Sequence, residues 1–344
     1  MSRRLLFLLL VYASALAAQP TGGTYVFKSL ALSPSARITA LGMRLISVAD
    51  EDVLLSFANP AVANPQMHKQ VAFHHNFLPG GIKHGVVAAG YALPRSDYVL
   101  HAGIRFLNYG RIPETDVYGN KTGLVKAGEW AFQAGVSRKL SERLRMGLNI
   151  NWLSARLDMY ASRAISADVG LYYADTASRV SVGIVATHLG TQVTRFGHTP
   201  KQKLPADISI GLSKRLAHLP FRFSVTAHHL NQWDLTYDDP DAGETNIIIG
   251  QAPREPTRLS RMVSNMFRHA IFSGEFLIGK YEQLRLRLGY NHLLNRDLHV
   301  ENLRSWSGFT LGFGIRLKRF RFDYGFANYH FGGRAHHLAI STHF

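Results

Sequence analysis

The sequence contains no cysteine among its 344 residues. A disulfide framework, a thiolate metal site and a thiol-based redox centre are therefore excluded. Charge is also scarce, since Asp, Glu, Lys and Arg together make up 18% of the chain. No internal stretch approaches the roughly 20 consecutive apolar residues that a membrane-spanning helix needs. Any residence in a membrane must therefore depend on strands.

The common catalytic motifs are missing as well. The chain has no Gly-x-Ser-x-Gly elbow, no Walker loop, no His-Glu-x-x-His motif and no paired-carboxylate motif. We therefore predict a protein that is not an enzyme and has no cofactor. One alternative stays open, because distant strands can assemble a lipid-modifying Ser/His site on a barrel wall.

Histidine is frequent, with 17 residues, and three pairs are adjacent in the sequence: His74-His75, His228-His229 and His336-His337. Adjacent side chains of a strand point to opposite faces, so the two histidines of a pair cannot bind the same metal ion. We predict no metal site and assign these histidines to the lumen or to interfaces.

The formal net charge is +16. A nucleic-acid-binding protein is one explanation, but the basic residues are scattered along the chain and form no stripe with interleaved aromatics. The distribution favours basic side chains in a polar lumen, at strand ends and in loops. There they can meet anionic lipid headgroups or the phosphates of lipopolysaccharide.

The last forty residues alternate between two kinds of side chain. Phe309, Leu311 and Phe313 share one parity, whereas Gly312 and Arg316 share the other. Since successive side chains of a strand point to opposite faces, each segment has an apolar and a polar face. Large aromatics on the apolar parity favour a membrane barrel over a soluble sandwich. The barrel insertion signal is predicted to be Leu338, Ile340, Thr342 and Phe344.

Alternation of this kind recurs along the chain and predicts an all-β protein, a 14-stranded antiparallel transmembrane β-barrel. Most segments are close to the roughly 9 to 11 residues of a tilted membrane strand, and an even number is typical of outer-membrane barrels. The predicted strands are 70–77, 84–93, 98–108, 128–138, 144–154, 165–174, 178–188, 207–214, 219–230, 269–279, 283–293, 306–317, 319–329 and 335–344.

Connections between these segments alternate in length through the middle of the chain. The long ones are predicted at 109–127, 189–206, 231–268 and 294–305, and those between them are short. This pattern is typical of outer-membrane barrels with periplasmic turns and long loops at the cell surface. Apolar spacing over 258–267 predicts a short helix within the longest loop.

The N-terminal part does not have strand periodicity. Arg3 and Arg4 precede an apolar run and a small-residue site, so residues 1–18 are predicted to be a signal peptide; a twin-arginine signal is less favoured. Residues 19–28 are predicted to be a flexible leader. The irregular stretch that follows predicts a plug over 19–66, and the barrel is assigned to 67–344.

Three segments of this predicted plug resemble the N-terminal hatch of FadL-like barrels: Ala40-Leu41-Gly42, the acidic stretch at 49–52, and Asn59-Pro60-Ala61. Four others narrow the resemblance to the PorV/PorQ group of these barrels, which serves the type IX secretion system. These are 220–237, 288–293, 312–316 and 319–324.

The resemblance implies a subunit of the attachment complex that contains PorU, PorV and PorZ, in which cargo is matured and joined to lipopolysaccharide. It implies no catalytic residue here, and it makes the chain the outer-membrane anchor of a PorZ-like partner. The alternative is a FadL-like conduit for small hydrophobic molecules. Aromatics after a predicted strand make one outer loop the candidate partner-binding site, with residues Gln232, Trp233, Leu235 and Tyr237.

Overall fold

The computed structural model describes residues 25–235, 258–297, 306–330 and 333–344. The predicted signal peptide at 1–18 and Tyr237 of the candidate loop lie outside these residues. Within them, no helix combines the length and the apolar character that a membrane crossing requires.

Fourteen strands close into one antiparallel barrel, which confirms the predicted architecture, and β1 pairs with β16 to complete the ring. The first half contains β1 (Gln70–Phe77), β2 (Lys83–Ala92), β3 (Tyr98–Asn108), β6 (Ala127–Lys139), β7 (Leu144–Leu157), β8 (Tyr160–Asp175) and β9 (Val180–Thr194). The second half contains β10 (Asp207–Arg215), β11 (Phe221–Ala227), β12 (Ala270–Ile278), β13 (Leu284–Asn291), β14 (Phe309–Leu317), β15 (Phe320–His330) and β16 (Gly333–His343).

The two faces of the wall differ as the alternation predicts. On β7 the apolar residues Ile150 and Trp152 are exposed, whereas Asn149 and Asn151 between them are buried. A soluble barrel buries its apolar side chains inside, so an apolar exterior around a polar interior is the arrangement of a barrel in lipid.

The two ends of the barrel are unequal. At one, here called the turn end, short connections join the strands, and Phe344 N–H donates to the Lys69 carbonyl at 3.2 Å beside the start of β1. The opposite end, here called the loop end, has the longer connections at 109–126, 195–206, 228–269 and 292–308. It includes α2 (Arg258–Arg268) and α3 (His292–Asp297), and α2 confirms the predicted helix.

Residues 25–69, here called the inner segment, pass through the barrel. They start at the loop end, where Tyr25 pairs with Lys203 and Phe27 packs with Leu153 and Leu204. They finish at the turn end, next to β1. Their regular structure is α1 (Ala36–Ala40) and short 3-10 turns at Lys28–Ala31, Val53–Phe57, Pro60–Val62 and Pro65–Met67. The role of the inner segment as a plug stays a prediction.

Two expectations from sequence need correction. The connection at 109–127 is not a plain loop, because β4 (Ile112–Thr115) and β5 (Lys121–Val125) form a hairpin in it. Its turn is closed by the Asp116 carboxylate, which accepts the N–H groups of Tyr118 and Asn120, both at 2.9 Å. Residues 25–28 of the predicted leader are ordered, since Phe27 is buried in an apolar cluster at the loop end.

Candidate functional site in the barrel lumen

The acidic stretch of the inner segment meets arginines of the barrel wall. Asp50 pairs with Arg222 of β11 at 3.0 Å, and Glu51 pairs with Arg316 of β14 at 2.6 Å. Successive side chains of the stretch therefore attach the inner segment to different strands. The remaining pairs between the stretch and the wall join Asp50 to Arg285, Glu51 to Arg285 and Asp52 to Arg321.

Arg37 of α1 lies at the centre of this network and is fully buried. Its guanidinium pairs with Asp50 at 2.6 Å and Glu275 of β12 at 3.0 Å, and it approaches Asp52 at 3.9 Å. Glu275 also accepts from Arg222 at 2.6 Å. We call these five residues, Arg37, Asp50, Asp52, Arg222 and Glu275, the latch, because they join both halves of the inner segment to the wall.

The latch combines two guanidiniums with three carboxylates. Arg37 lies among Glu275, Asp50 and Asp52. Asp50 in turn lies beside the guanidiniums of Arg222 and Arg37. Each charge depends on its partners, since an unpaired charge in this interior would be strongly destabilising.

Acidification is expected to release the inner segment only at low pH. A carboxylate that is ion-paired in the folded state, as Asp50 is with Arg37 and Arg222, keeps its pairs at neutral pH and loses them only when acid protonates it. We therefore expect bilayer conductance of the purified barrel to stay closed from neutral pH to about pH 4 and to open below it. Opening between pH 7 and pH 5 would contradict this.

Glycines on the inward face let the inner segment approach the wall. A Cβ on Gly183 would overlap the backbone carbonyl of Ile46, and Gly183 pairs across the ladder with Gly211, which also faces Ile46. Gly147 makes the same kind of room for Pro60. Beside the paired glycines, the hydroxyls of Ser47 and Ser213 lie 2.7 Å apart.

The predicted plug motif Asn59-Pro60-Ala61 lies against the wall. Asn59 Oδ1 accepts from Ala61 N–H at 3.0 Å and so caps the 3-10 turn that Pro60 begins. Its amide group donates to the Ile46 carbonyl at 2.8 Å and to the Leu171 carbonyl of β8 at 3.4 Å. One buried side chain therefore ties two parts of the inner segment to the barrel.

At the loop end, α2 holds the candidate partner-binding residues. The Asn265 amide donates to the Trp233 carbonyl at 2.5 Å, and its Oδ1 accepts from Leu235 N–H at 3.1 Å. The Trp233 ring stacks on His269, with centroids 5.4 Å apart. Arg268 donates to the Leu235 carbonyl at 3.3 Å.

Trp233 nevertheless remains 60% exposed, and beside it the described part of α2 shows Met262, Val263 and Met266 to the outside. We call these four residues the loop-end platform. Gln232 precedes it and donates to a backbone carbonyl two residues further on. The partner-binding role of Gln232, Trp233 and Leu235 stays a prediction, as does the insertion role of Leu338, Ile340, Thr342 and Phe344.

The histidine pairs follow the prediction in part. His74 and His337 are buried in the lumen, and their sequence neighbours are not. The prediction was wrong for His228 and His229, because β11 ends at Ala227 and a φ of 56° at His229 brings both rings together. Among the described residues, no group of three or more His, Asp or Glu side chains is placed to hold a metal ion.

The contact between the Thr39 hydroxyl and His337 in the lumen does not form a hydrolase arrangement. Thr39 Oγ1 lies 3.1 Å from His337 Nδ1, and that nitrogen lies 3.2 Å from His74 Nε2. The next group in contact with His337 is therefore a second histidine, His74, and not a carboxylate. A triad needs a carboxylate or amide to orient the base.

Comparison with solved structures identifies the fold. The toluene transporter TbuX of Ralstonia pickettii matches with a TM-score of 0.55 and 12% identity, covering 93% of this chain and 100% of that one. The toluene transporter TodX of Pseudomonas putida matches at 0.53 and 11%, covering 90% and 96%. A FadL homologue of Pseudomonas aeruginosa matches at 0.50 and 9%, covering 90% and 98%.

No protein-family model matches the chain. No curated protein matches it either. At 9 to 12% identity the structural neighbours establish the fold alone, a closed barrel of 14 antiparallel strands similar to the barrels of these transporters and of the FadL homologue.

Proposed function

We propose that this chain is an integral outer-membrane protein of a Gram-negative bacterium, with its loop end at the cell surface, and that it is a non-enzymatic anchor. In this proposal it is a PorQ-like subunit of a type IX secretion attachment complex. It holds a PorZ-like partner close to PorU and PorV, where cargo is matured and attached to lipopolysaccharide. Support for the specific complex comes from the sequence segments that resemble the PorV/PorQ group.

The observation that carries the anchoring function is the contrast between the two parts of the molecule. The lumen holds the inner segment through the buried latch, in which Arg37 is 0% exposed. At the loop end, by contrast, apolar side chains are exposed on a support formed by α2 and His269. In this proposal, a lumen occupied by the inner segment and an apolar surface at the loop end suit a protein that binds a partner better than one that passes solutes.

The loop-end platform has the chemistry of a binding surface. Trp is among the residues enriched in interface hot spots, and Met-rich surfaces adapt to a partner. Asn265 fixes the backbone on both sides of the exposed Trp233 ring, at residues 233 and 235, so little order has to be gained on binding. An ion pair between Arg268 of α2 and Asp297 of α3, at 2.7 Å, also helps to hold α2 in place.

Replacing Trp233 with alanine is expected to weaken capture of the surface partner by roughly 30-fold, the effect of losing one hot spot. The measurement is affinity isolation from outer-membrane extracts, with quantification of the co-purifying chains. Trp152, which lies on the lipid face of β7 and pairs with Phe132, provides the control. Its replacement by alanine should leave capture unchanged.

Barrel insertion must be measured alongside, by heat-modifiable migration on gels. An inserted Trp233→Ala barrel that captures its partner as fully as the unmodified protein would refute the role of the platform. Equal loss of capture in both variants would mean that Trp233 acts only as an interfacial aromatic.

A conduit for small hydrophobic molecules is the second candidate. It is favoured by the fold shared with two toluene transporters. A further observation is a break in the ladder between β8 and β9, where Thr187 and His188 lie opposite Asp168. The Asp168 carboxylate accepts the His188 N–H at 2.7 Å and the Asn151 amide at 3.0 Å. Such bulges interrupt strand pairing and are over-represented at the rims of barrels and next to functional sites.

Because the chain has no native cysteine, one disulfide can separate the two functions. Ser47→Cys with Ser213→Cys would bond the inner segment to β10, since the two hydroxyls already lie 2.7 Å apart. A conduit predicts that oxidation stops uptake of a monoaromatic hydrocarbon into liposomes and that reduction restores it. An anchor predicts no uptake in either state and full partner capture in both.

A further inference from the structure

A basic notch opens on the loop-end rim of the barrel wall. Its volume is about 450 Å³, and its lining includes Lys83 of β2, Arg111 before β4 and Lys126 before β6. All three side chains are exposed. Leu124 of the β4–β5 hairpin gives the notch an apolar side, and Gly110 leaves room beside it. Among the residues that the structure describes, no carboxylate lines the notch.

The three notch cations differ in their pairing from basic residues at the opposite end of the barrel. At the turn end, Lys139 pairs with Glu142 at 2.6 Å and Arg215 with Glu282 at 2.7 Å. In the part of the chain that the structure describes, the side chains of the three notch cations form no ion pair. The positive charge of the notch is therefore not neutralised by acidic side chains of the described residues. Such a surface attracts anions from outside the protein.

The notch lies directly above an aromatic row on the lipid face. Lys83 pairs across the ladder with Phe77 on one side and with Asn108 on the other. One step further from the rim, Phe106 packs against Trp130 with ring centroids 5.7 Å apart. Aromatic belts sit at the level of lipid headgroups, so the three cations lie at the height of the headgroup phosphates.

We propose that this notch binds the phosphate group of a phosphorylated lipid headgroup in the outer leaflet, with the acyl chains lying over Phe106 and Trp130. The site rests on the proposed function, because it needs the loop end to face the cell surface. Clustered Lys and Arg at a membrane surface recognise anionic headgroups in this way. The lipid would be held beside the platform where the partner docks.

The test uses the folded barrel in detergent and native mass spectrometry with diphosphorylated lipid A. A triple variant, Lys83→Gln with Arg111→Gln and Lys126→Gln, should bind this lipid roughly a hundredfold more weakly. The charge-matched control carries the same change at three exposed turn-end residues, namely Arg95→Gln, Lys280→Gln and Arg319→Gln. It should bind like the unmodified protein.

Two further probes identify the source of the phosphate. Dephosphorylated lipid A should bind the unmodified barrel as weakly as it binds the triple variant. Inorganic phosphate at millimolar concentration should not displace the lipid, because it has no acyl chains; full displacement would assign the notch to free phosphate and overturn the lipid site. Equal lipid binding by the triple variant, the control and the unmodified protein would also overturn it.

Partner capture separates this inference from the anchoring proposal. The triple variant should lose the lipid and keep the surface partner, whereas Trp233→Ala should lose the partner and keep the lipid. A barrel that captures its partner but never binds lipid A would refute the notch and leave the anchor in place.

Discussion

Replacing Arg37 with alanine should free the inner segment from the wall. The substitution removes the guanidinium that lies 2.6 Å from the partly buried Asp50 and 3.0 Å from the buried Glu275, and leaves both carboxylates with Arg222 as a shared partner. Breaking a buried ion pair by removing one partner costs roughly 3–5 kcal/mol. We expect the variant to conduct ions in planar bilayers at neutral pH, and its inner segment to become sensitive to protease. The unmodified barrel should resist both.

The matched controls separate charge from simple loss of contact. Glu142→Gln removes one partner of an exposed pair at the turn end, where an ion pair contributes about 0–1 kcal/mol, and should leave the barrel closed. A neutral latch with Arg37→Met, Arg222→Met, Asp50→Asn and Glu275→Gln removes both guanidiniums together with the two carboxylates that they share, so that none of these four groups is left as an unpaired charge, and we expect it to be more closed than Arg37→Ala. A closed Arg37→Ala barrel would show that the latch does not hold the segment.

Strand positions follow well from the sequence because lipid imposes one rule on every outward residue. The predicted β1 at 70–77 and β3 at 98–108 coincide with the observed Gln70–Phe77 and Tyr98–Asn108. The rule weakens where strands leave the membrane. β9 accordingly runs to Thr194 although the prediction ends it at 188, since its last residues have no lipid-facing pattern.

The latch shows the limit of sequence reasoning. The acidic stretch at 50–52 and the inward parity of Arg285 are both visible in the sequence, and they indicate that unlike charges share the lumen. Which carboxylate meets which guanidinium depends on how residues 238 positions apart, such as Arg37 and Glu275, are brought together. The alternation of apolar and polar residues determines on which face of the wall a side chain lies. It does not determine the position of that side chain along the barrel axis relative to the inner segment.

The β4–β5 hairpin and the pair His228-His229 escaped prediction for a related reason. Local turn chemistry at Asp116 and a left-handed backbone at His229 decide both. Neither feature has the periodicity that identifies a membrane strand. Both lie at the loop end, where no lipid environment constrains the sequence and where the proposed binding surfaces are found.

Replacing a glycine of the wall with a larger residue is expected to displace the inner segment, which is the second large effect. Gly183 and Gly211 face each other across β9 and β10 and form a hollow that the backbone at Ile46 fills. Replacing Gly183 with valine would place side-chain atoms where that backbone lies, and overpacking typically costs roughly 1–3 kcal/mol. Because Val suits a strand, we expect the wall to remain intact and the inner segment to move.

The disulfide between Ser47→Cys and Ser213→Cys reports that movement directly. In the unmodified wall, oxidation should cross-link the two positions almost completely. With Gly183→Val the yield should fall steeply, because a disulfide tolerates little change in the distance between its two Cα atoms. Gly123→Val in β5 introduces the same side chain away from the inner segment and should leave the yield unchanged. An unchanged yield with Gly183→Val would mean that the segment is not seated in the glycine hollow, and the occupied lumen on which the anchoring proposal rests would lose its structural basis.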